Sequence, residues 1–503
     1  MDVLQYLSLG FGVVFQPMNF LICFIGVLVG TLVGVLPGVG PVAAISLILP
    51  ATFKMTPVQS IIMISGIYYG AMYGGSTTSI LVNVPGEAAS VVTCIDGHKM
   101  ALEGRAGPAL GIAAFGSFIA GTVGIVGLMF LAPPLAEVAL KFGPPEYFAL
   151  MVLGITLLSY LGGGSMIRDM MMATAGLLLA SIGSDVMTGA QRFTFGMLEL
   201  SEGLGLVPVV MGLFGISEVL LNIEEDLKTG PIIKGKIKHL LPTAKDWKDS
   251  TWPIARGSVL GFFLGILPGG GALIASFASY ALERRWSKHP EKFGHGAIEG
   301  VAGPESANNS AATGAFIPLL TLGIPANAVM AILMGALMIQ GITPGPLLME
   351  KYPELFWGTV ASMYVGNVIL LVLNLPLIGL WVRILKVPYY FLFPLILLFC
   401  LIGSYTVNDR IVDVFTMILF GLVGYLMKKL NFAGAPLILA LVLGPMLEDN
   451  LRRSLMISYG SFRIFFTSPI AAVFIGLALI LLAAPLLKLK GKRVIPPAPQ
   501  STD

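Results

Sequence analysis

The chain is poor in charged residues. Asp, Glu, Lys and Arg make up 11% of its 503 residues, whereas 56% are hydrophobic and the mean hydropathy is +0.88. A soluble domain carries about 25% charged residues and cannot bury so much apolar surface. Stretches such as 467–487 reach the ~20 apolar residues that cross a bilayer as a helix, and polar and apolar residues do not alternate as in membrane strands. The composition predicts an all-α, polytopic membrane protein.

The sequence also lacks the signatures of several catalytic sites. It contains no His-Glu-x-x-His zinc motif, no Gly-x-x-x-x-Gly-Lys-Ser/Thr phosphate loop and no Gly-x-Ser-x-Gly nucleophile elbow. The three cysteines are scattered and have no metal-ligand spacing, and the four histidines fall in predicted loops. We therefore expect neither an enzyme nor an ATP-driven pump. We expect no cofactor, apart from Na⁺ or H⁺ as a coupling ion.

One apolar segment occurs twice in the chain. Residues 30–40 read GTLVGVLPGVG and residues 261–271 read GFFLGILPGGG, so both follow the pattern G-x-x-x-G-x-L-P-G-x-G. The copies are separated by about half the chain, which indicates two related halves. Paired Pro/Gly breaks at matching positions of two halves point to the binding site of a membrane transporter. The Gly-x-x-x-Gly spacing by itself is more typical of close helix packing.

The basic residues predict how the two copies lie in the membrane. Positively charged loops favour the cytoplasmic side. The second copy is flanked by Arg256 and by Arg284 and Arg285, whereas no Lys or Arg precedes Lys54. The second copy would therefore enter and leave from the cytoplasm, and the first from the outer side. We predict two inverted-topology repeats, each with a re-entrant helical hairpin and a Pro/Gly-broken helix.

This arrangement divides the chain into four parts. The central part is rich in Lys and Glu, which favours a solvated linker over the alternative of a docking surface for a partner subunit. The C-terminal residues are polar and contain proline, which is typical of a disordered end. The predicted parts are a first membrane repeat at 1–222 with its hairpin at about 19–53, a cytoplasmic polar linker at 223–256, a second repeat at 257–493 with its hairpin at about 257–283, and a disordered tail at 494–503.

A second interrupted stretch follows each hairpin. Residues 73–87 contain Ser-Thr-Thr and then Asn-Val-Pro-Gly, and residues 303–327 contain Asn-Asn-Ser and then Gly-Ile-Pro-Ala-Asn. Proline removes a helical hydrogen bond, and glycine permits an unwound backbone. In hydrocarbon, the freed backbone groups must face protein or a wet cavity. There, half-helix N-termini attract anions, and half-helix C-termini suit Na⁺.

The breaks and their polar neighbours are therefore the candidate site residues, with helix packing as the alternative role for the small polar ones. For the substrate we predict Pro37, Gly38, Gly40, Ser76, Thr77, Thr78, Asn83, Gly269, Gly270, Gly271, Asn308, Asn309 and Ser310. For the ion we predict Asn83, Pro85, Asn309, Thr313, Thr321 and Asn327.

Three carboxylates near these breaks have different expected roles. Glu305 is either a coupling carboxylate at membrane depth or a helix-end carboxylate at the cytoplasmic surface, because Gly-Pro precedes it. Glu87 and Asp96 are expected in a polar loop. No Lys or Arg is predicted at membrane depth, so backbone N–H groups and neutral side chains would hold the carboxylates of a substrate.

The segments 30–40, 73–87 and 304–309 resemble the large membrane subunit of tripartite tricarboxylate transporters (TctA-like). The resemblance extends over essentially the whole chain. It implies a multi-pass protein of the bacterial inner membrane that works with a small four-helix membrane subunit and a periplasmic substrate-binding protein. It also implies uptake of a carboxylate such as citrate by symport with an ion, commonly Na⁺.

The residues themselves fit more than one function. The paired breaks favour alternating access to a carboxylate site between two opposed hairpins, in which one half rocks or slides. A stand-alone carboxylate symporter or exporter would need the same breaks without the partner proteins. A membrane sensor or scaffold that binds its ligand without transporting it would also fit.

Overall fold

The structure is a computed structural model, and it is almost entirely helical. It describes residues 3–36, 40–161, 165–185, 187–224, 240–385 and 392–483. Within these ranges, seven helical segments are long and apolar enough to cross a membrane. The prediction of an all-α polytopic membrane protein is confirmed at this level. Pro37, Gly38, the tail at 494–503 and part of the predicted linker lie outside the described residues.

The described helices fall into two sets, separated by the central polar segment. The first set is α1 (Val3–Val14), α2 (Pro17–Val35), α3 (Gly40–Thr52), α4 (Pro57–Val82), α5 (Val91–Met100), α6 (Ala106–Ala139), α7 (Pro144–Leu161), α8 (Met166–Ala180), α9 (Leu206–Val210) and α10 (Ser217–Glu224). The second set is α11 (Ala244–Ile266), α12 (Gly271–Trp286), α13 (Glu299–Gly314), α14 (Phe316–Leu322), α15 (Ala328–Ile339), α16 (Leu348–Lys351), α17 (Pro353–Asn374), α18 (Ile378–Ile384), α19 (Leu392–Asn408), α20 (Ile411–Lys429), α21 (Gly434–Ile457), α22 (Ile464–Thr467) and α23 (Pro469–Ala483).

Short irregular elements connect some of these helices. Strands β1 and β2 form a small antiparallel hairpin, in which Gly183 pairs with Arg192 and Ser184 with Gln191. The bounds are Gly183–Ser184 for β1 and Gln191–Arg192 for β2. Single 3-10 turns occupy Ala88–Ser90, Leu198–Leu200 and Pro290–Lys292, and π turns occupy Ala101–Arg105 and Met211–Ile216.

Capping residues set the start of two central helices. The Thr56 hydroxyl accepts a hydrogen bond from the backbone N–H of Gln59, whose side chain accepts one from the N–H of Thr56, and α4 begins between them. Thr243 and Asp246 form the same reciprocal cap at the start of α11. Helix α11 therefore begins at Ala244, within the predicted linker at 223–256.

Two helix pairs are packed so closely that only glycine fits at the contact. A Cβ added at Gly261 or Gly265 of α11 would lie 2.2 Å from the carbonyl oxygen of Ala307 or Ala311 on α13. A Cβ at Gly34 of α2 would lie 2.3 Å from the carbonyl oxygen of Ala71 on α4. Both Gly-x-x-x-Gly segments therefore serve helix packing, as their spacing predicts.

The two sets of helices interlock in the centre. Helix α6 of the first set packs against α13 of the second, and α17 of the second set packs against α4 of the first. Helices α4 and α13 also contact each other, as do α6 and α17. The two broken helices are thus enclosed by both halves of the chain, and the halves share one core.

The glycine contacts predict a selective effect on stability. Gly261→Ala forces its Cβ onto a backbone oxygen, so the helices must separate, at a cost of about 1–3 kcal/mol typical of overpacking. Gly12→Ala is the matched control, because Gly12 is exposed on α1 and nothing lies within 4 Å of an added Cβ. Thermal unfolding in detergent should show a lower midpoint for G261A alone. Equal midpoints for the two variants would contradict the packing role.

Candidate functional site

The helix breaks of both halves converge on one cavity of about 550 Å³, which we call the inter-break cavity. Gly40 is the first residue of α3, and Gly269, Gly270 and Gly271 lie where α11 gives way to α12. The second breaks contribute Pro85, Gly86, Glu87 and Asn327. Its volume is in the range of small-molecule sites. The other described residues that line it are Pro41, Val42, Ala43, Tyr68, Met72, Ala88, Ala89, Leu161, Phe214, Glu218, Ala272, Leu273, Ile274, Ala328, Val329 and Ala435.

Backbone geometry explains why glycines occupy the connection between α11 and α12. Gly269 and Gly271 have φ angles of +80° and +47°, in the left-handed region that side chains disfavour. The N–H of Gly269 donates to the carbonyl oxygen of Ala326 at 2.9 Å. This bond holds the connection between α11 and α12 against the second break of the same half. In the first half, the Thr78 hydroxyl donates to the carbonyl oxygen of Val35 at 2.7 Å, which joins α4 to the end of α2.

The second breaks have the same local conformation in both halves. Helix α4 ends at Asn83 with φ 60° and ψ 28°, and α14 ends at Gly323 with φ 70° and ψ 29°. Each of these left-handed residues stands two positions before the proline of its break, Pro85 or Pro325. Asparagine is among the few residues other than glycine that tolerate this conformation. The two stretches are therefore alike in backbone geometry as well as in sequence pattern.

Three helices begin at the cavity. The first residues of α3, α12 and α15 line its wall, and the Asn327 side chain caps α15 by accepting the N–H of Met330 at 3.0 Å. Each helix N-terminus carries a partial positive charge and free N–H groups. There is no Lys or Arg among the described lining residues. Attraction for an anion in this cavity must therefore come mainly from backbone groups.

A buried polar layer joins α4, α5 and α13 beside the cavity. The Ser76 hydroxyl donates to Oε2 of Glu305 at 2.6 Å, and the Thr93 hydroxyl donates to Oε1. Glu305 is 1% exposed and lies inside α13, whose first residue is Glu299. The interpretation of Glu305 as a surface carboxylate at a helix end is therefore wrong. The helix continues through Pro304, its sixth residue, although proline lacks the N–H that would bond to the carbonyl oxygen four residues earlier.

Several predicted site residues lie between helices instead of on the cavity wall. Asn309 donates to Ser117 Oγ at 2.7 Å, and the Ser310 hydroxyl donates to the Ser258 carbonyl oxygen at 2.7 Å. Such contacts are those of the helix-packing alternative. The predicted residues that are not on the described wall are Ser76, Thr77, Thr78, Asn83, Asn308, Asn309, Ser310, Thr313 and Thr321. Those that do line it are Gly40, Pro85, Gly269, Gly270, Gly271 and Asn327.

The expectation that Asp96 lies in a polar loop is wrong, whereas Glu87 does lie in the connection after α4 but is buried there. Asp96 is a buried residue of α5 and holds the connection between α12 and α13, because its Oδ1 accepts the N–H groups of Gly294, Gly296 and Ala297 at 2.8–2.9 Å. Glu87 is buried at the cavity wall. Its position directly after Pro-Gly was the signal in the sequence, because that break is where a wet cavity was expected.

Comparison with known proteins decides the family. The sequence profile of the Tripartite tricarboxylate transporter TctA family matches residues 20–439. The chain belongs to this family. The resemblance drawn from the motifs is thereby confirmed, and the chain is a membrane component of a tripartite tricarboxylate transporter.

Two relatives come from Agrobacterium vitis. The first, "Uncharacterized 52.8 kDa protein in TAR-I ttuC' 3'region", is 53% identical over 485 residues, which cover 96% of each chain. The second, "Uncharacterized protein in TAR-II ttuC' 3'region", is 55% identical over 234 residues, which cover 46% of this chain and 97% of the relative. No solved structure matches the chain.

The polar layer of this TctA family member predicts unequal roles for two serines of α4. Ser76→Ala removes a donor from a buried carboxylate and should lower the free energy of unfolding by about 1.5–3 kcal/mol. Ser65→Ala is the matched control, because Ser65 is buried on the same helix and its hydroxyl has no partner among the described residues. Thermal unfolding of both purified variants measures the difference. A midpoint for S65A as low as that for S76A would refute the assignment.

Proposed function

We propose that this chain is the large subunit of a secondary transporter that imports a tricarboxylate, such as citrate, or another small carboxylate. An ion gradient drives the uptake, and we favour Na⁺ over H⁺ as the coupling ion. The observation that carries the proposal is the inter-break cavity, to which both hairpins and both second breaks contribute. Irregular backbone at membrane depth is tolerated where it lines such a cavity.

The walls of the cavity favour a small anion. The N-termini of α3, α12 and α15 supply N–H groups that carboxylate oxygens accept. The Asn327 amide, which also donates to the Tyr68 hydroxyl at 3.0 Å, adds a polar group on the same wall. Backbone donors suit a substrate that must be released again, because they are weaker than a bidentate arginine.

The ends of α4 and α14 suit a cation. A helix C-terminus leaves its last carbonyl groups without helical partners and carries a partial negative charge. At Asn83 and Gly323 the chain turns away in the left-handed conformation. We therefore place Na⁺ at the second breaks, with Asn83, Pro85, Thr321 and Asn327 among the neighbouring residues. Asn309 and Thr313 are buried in α13, and in this proposal they stabilise the packing of that helix.

The transport cycle alternates access to the cavity. In this proposal the halves are inverted repeats, α2–α3 and α11–α12 are re-entrant hairpins, and one half rocks or slides against the other. Two observations support this arrangement. The turns at the second breaks match, and α6 and α17 each pack against a helix of the other half. A periplasmic binding protein delivers the substrate, and a small four-helix subunit completes the complex in the bacterial inner membrane.

Reconstitution tests this function. The purified large and small subunits in liposomes should accumulate labelled citrate when the binding protein is present and Na⁺ is higher outside. Replacing Na⁺ by choline at equal ionic strength, or omitting the binding protein, should remove the accumulation. Uptake that continues when both are absent would refute the proposal.

A new negative charge in the cavity should weaken uptake. Ala88 lines the cavity and is exposed, so Ala88→Glu can fold while its carboxylate repels the substrate by about 1–4 kcal/mol. Because about 1.4 kcal/mol is a factor of ten, we expect the KM for citrate uptake to rise about fivefold or more. Ala51→Glu is the matched control, since Ala51 is exposed near the end of α3 and does not line the cavity. Equal uptake by A88E and the wild type would argue against substrate binding here.

A further inference from the structure

The carboxylates on the wall of the inter-break cavity are balanced unequally. Glu218 forms an ion pair with Lys428. Glu87 is buried, with 7% of its surface exposed, and it forms no ion pair with any described residue. A carboxylate in an apolar environment without a cationic partner is costly. Glu87 therefore calls for an explanation that Glu218 does not.

The hydrogen bonds of Glu87 come from neutral donors, and its side chain caps the turn at Ala88–Ser90. The backbone N–H of Ala89 donates to Oε2 at 2.6 Å, and Nδ2 of Asn308 donates to Oε1 at 3.1 Å. The other amide atom, Oδ1 of Asn308, has no hydrogen-bond partner among the described residues, although Asn308 is 1% exposed. A buried acceptor without a donor destabilises the folded state. The carboxylate and the unpaired amide oxygen belong to two side chains in contact, and both are oxygen ligands of the kind that bind a cation.

The opposite orientation of the Asn308 amide leads to the same result. Rotation of the amide by 180° would place Oδ1 against Oε1 of Glu87. Two acceptors in contact repel each other unless a proton or a metal cation lies between them. In that orientation, a cation between the two side chains would complete the pair.

Besides the partial positive charges of the helix N-termini, no described cation forms an ion pair with Glu87, and Lys428 is paired with Glu218. The titratable groups around it are Glu305 on α13, Tyr68 on α4, Cys94 on α5 and, on the same cavity wall, Glu218 on α10. Glu305 also has no ion pair with any described residue, and hydroxyl groups are its side-chain partners. Two buried carboxylates near each other resist being charged together.

A carboxylate substrate makes this imbalance larger. Under the proposed function, a citrate in the cavity brings negative charge to the wall that contains Glu87. A cation bound at Glu87 removes the repulsion, and by linkage the substrate then tightens the binding of the cation by the same factor. Reciprocal binding of this kind is what couples the flux of an anion to that of a cation.

We propose that Glu87 and Oδ1 of Asn308 bind the coupling cation, Na⁺ or a proton, at the wall of the inter-break cavity. Sodium would take oxygen ligands from both side chains and from the nearby break, whereas a proton would sit on Glu87 and be shared with the amide oxygen. The role in coupling rests on the proposed function. The cation site itself rests on the contacts of Glu87 and Asn308.

Cation-dependent stability tests the site without transport. The midpoint of thermal unfolding of the purified chain in detergent is measured in NaCl against choline chloride, and separately from pH 8 to pH 5 in choline chloride alone. The wild type should be stabilised by Na⁺ if the site takes sodium, and by falling pH without Na⁺ if it takes a proton. A ligand that binds the folded state raises its stability in this way.

Glu87→Gln should abolish the response that the wild type shows. Its midpoint in choline chloride at pH 8 should not be lower than that of the wild type, because an unpaired buried charge has been removed. Glu137→Gln is the matched control, since Glu137 is exposed on α6 and should keep the full response. Glu87→Asp serves if the glutamine variant does not fold. It keeps the charge, but the shorter side chain should raise the Na⁺ concentration for half-maximal stabilisation by about tenfold or more.

The outcomes separate the two proposals. A Glu87→Gln variant with an unchanged response to Na⁺ and pH, or a wild type with neither response, overturns the cation site. Gradient-driven citrate uptake by the wild type together with equal gradient dependence in Glu87→Gln overturns the site and leaves the transport function intact. A Glu87-dependent response without any citrate uptake by the complete set of subunits overturns the transport function and leaves the site intact.

Discussion

The need to satisfy backbone polar groups away from water governs the centre of this protein. A helix that is broken inside an apolar environment exposes N–H and C=O groups, and only protein or a wet cavity can accept them. Here the breaks satisfy part of this need by contacting each other, as in the bond from Gly269 N–H to the Ala326 carbonyl oxygen. What remains faces the inter-break cavity. The cavity is thus a consequence of the breaks, and its polarity comes largely from the backbone.

Close helix packing allows the breaks to meet. Glycines on α2 and α11 bring these helices against the carbonyl groups of α4 and α13, at distances that any side chain would prevent. The broken helices α4 and α13 are then held together by contacts across the halves, including the bond from Ser76 to Glu305. Charged and amide groups of α13 consequently meet the end of α4. Packing at the glycines and chemistry at the carboxylates are two parts of one arrangement.

The sequence predicted what depends on local covalent structure. Proline and glycine change the backbone wherever they stand, so the breaks at 30–40, 73–87 and 261–271 could be located, as could the close packing of Gly261 and Gly265. The neighbours of a side chain depend on the rest of the fold. Glu87 is buried because α13, from the other half of the chain, supplies Asn308, and no periodicity near Glu87 records that contact. For the same reason, the sequence predicts Asn309 and Ser310 as substrate ligands, whereas in the structure they donate hydrogen bonds to Ser117 and Ser258.

The balance of charge explains how such a cavity could both hold and release an anion. Three helix N-termini supply roughly +1.5 charges in total. An ionised Glu87 offsets most of that charge, and a cation at Glu87 restores it. A fixed arginine could not provide this change, because its charge is permanent and its bidentate contacts to a carboxylate are strong. A cavity whose attraction comes from helix ends and whose repulsion comes from one neutralisable carboxylate can therefore switch its affinity through the occupancy of a single small ion.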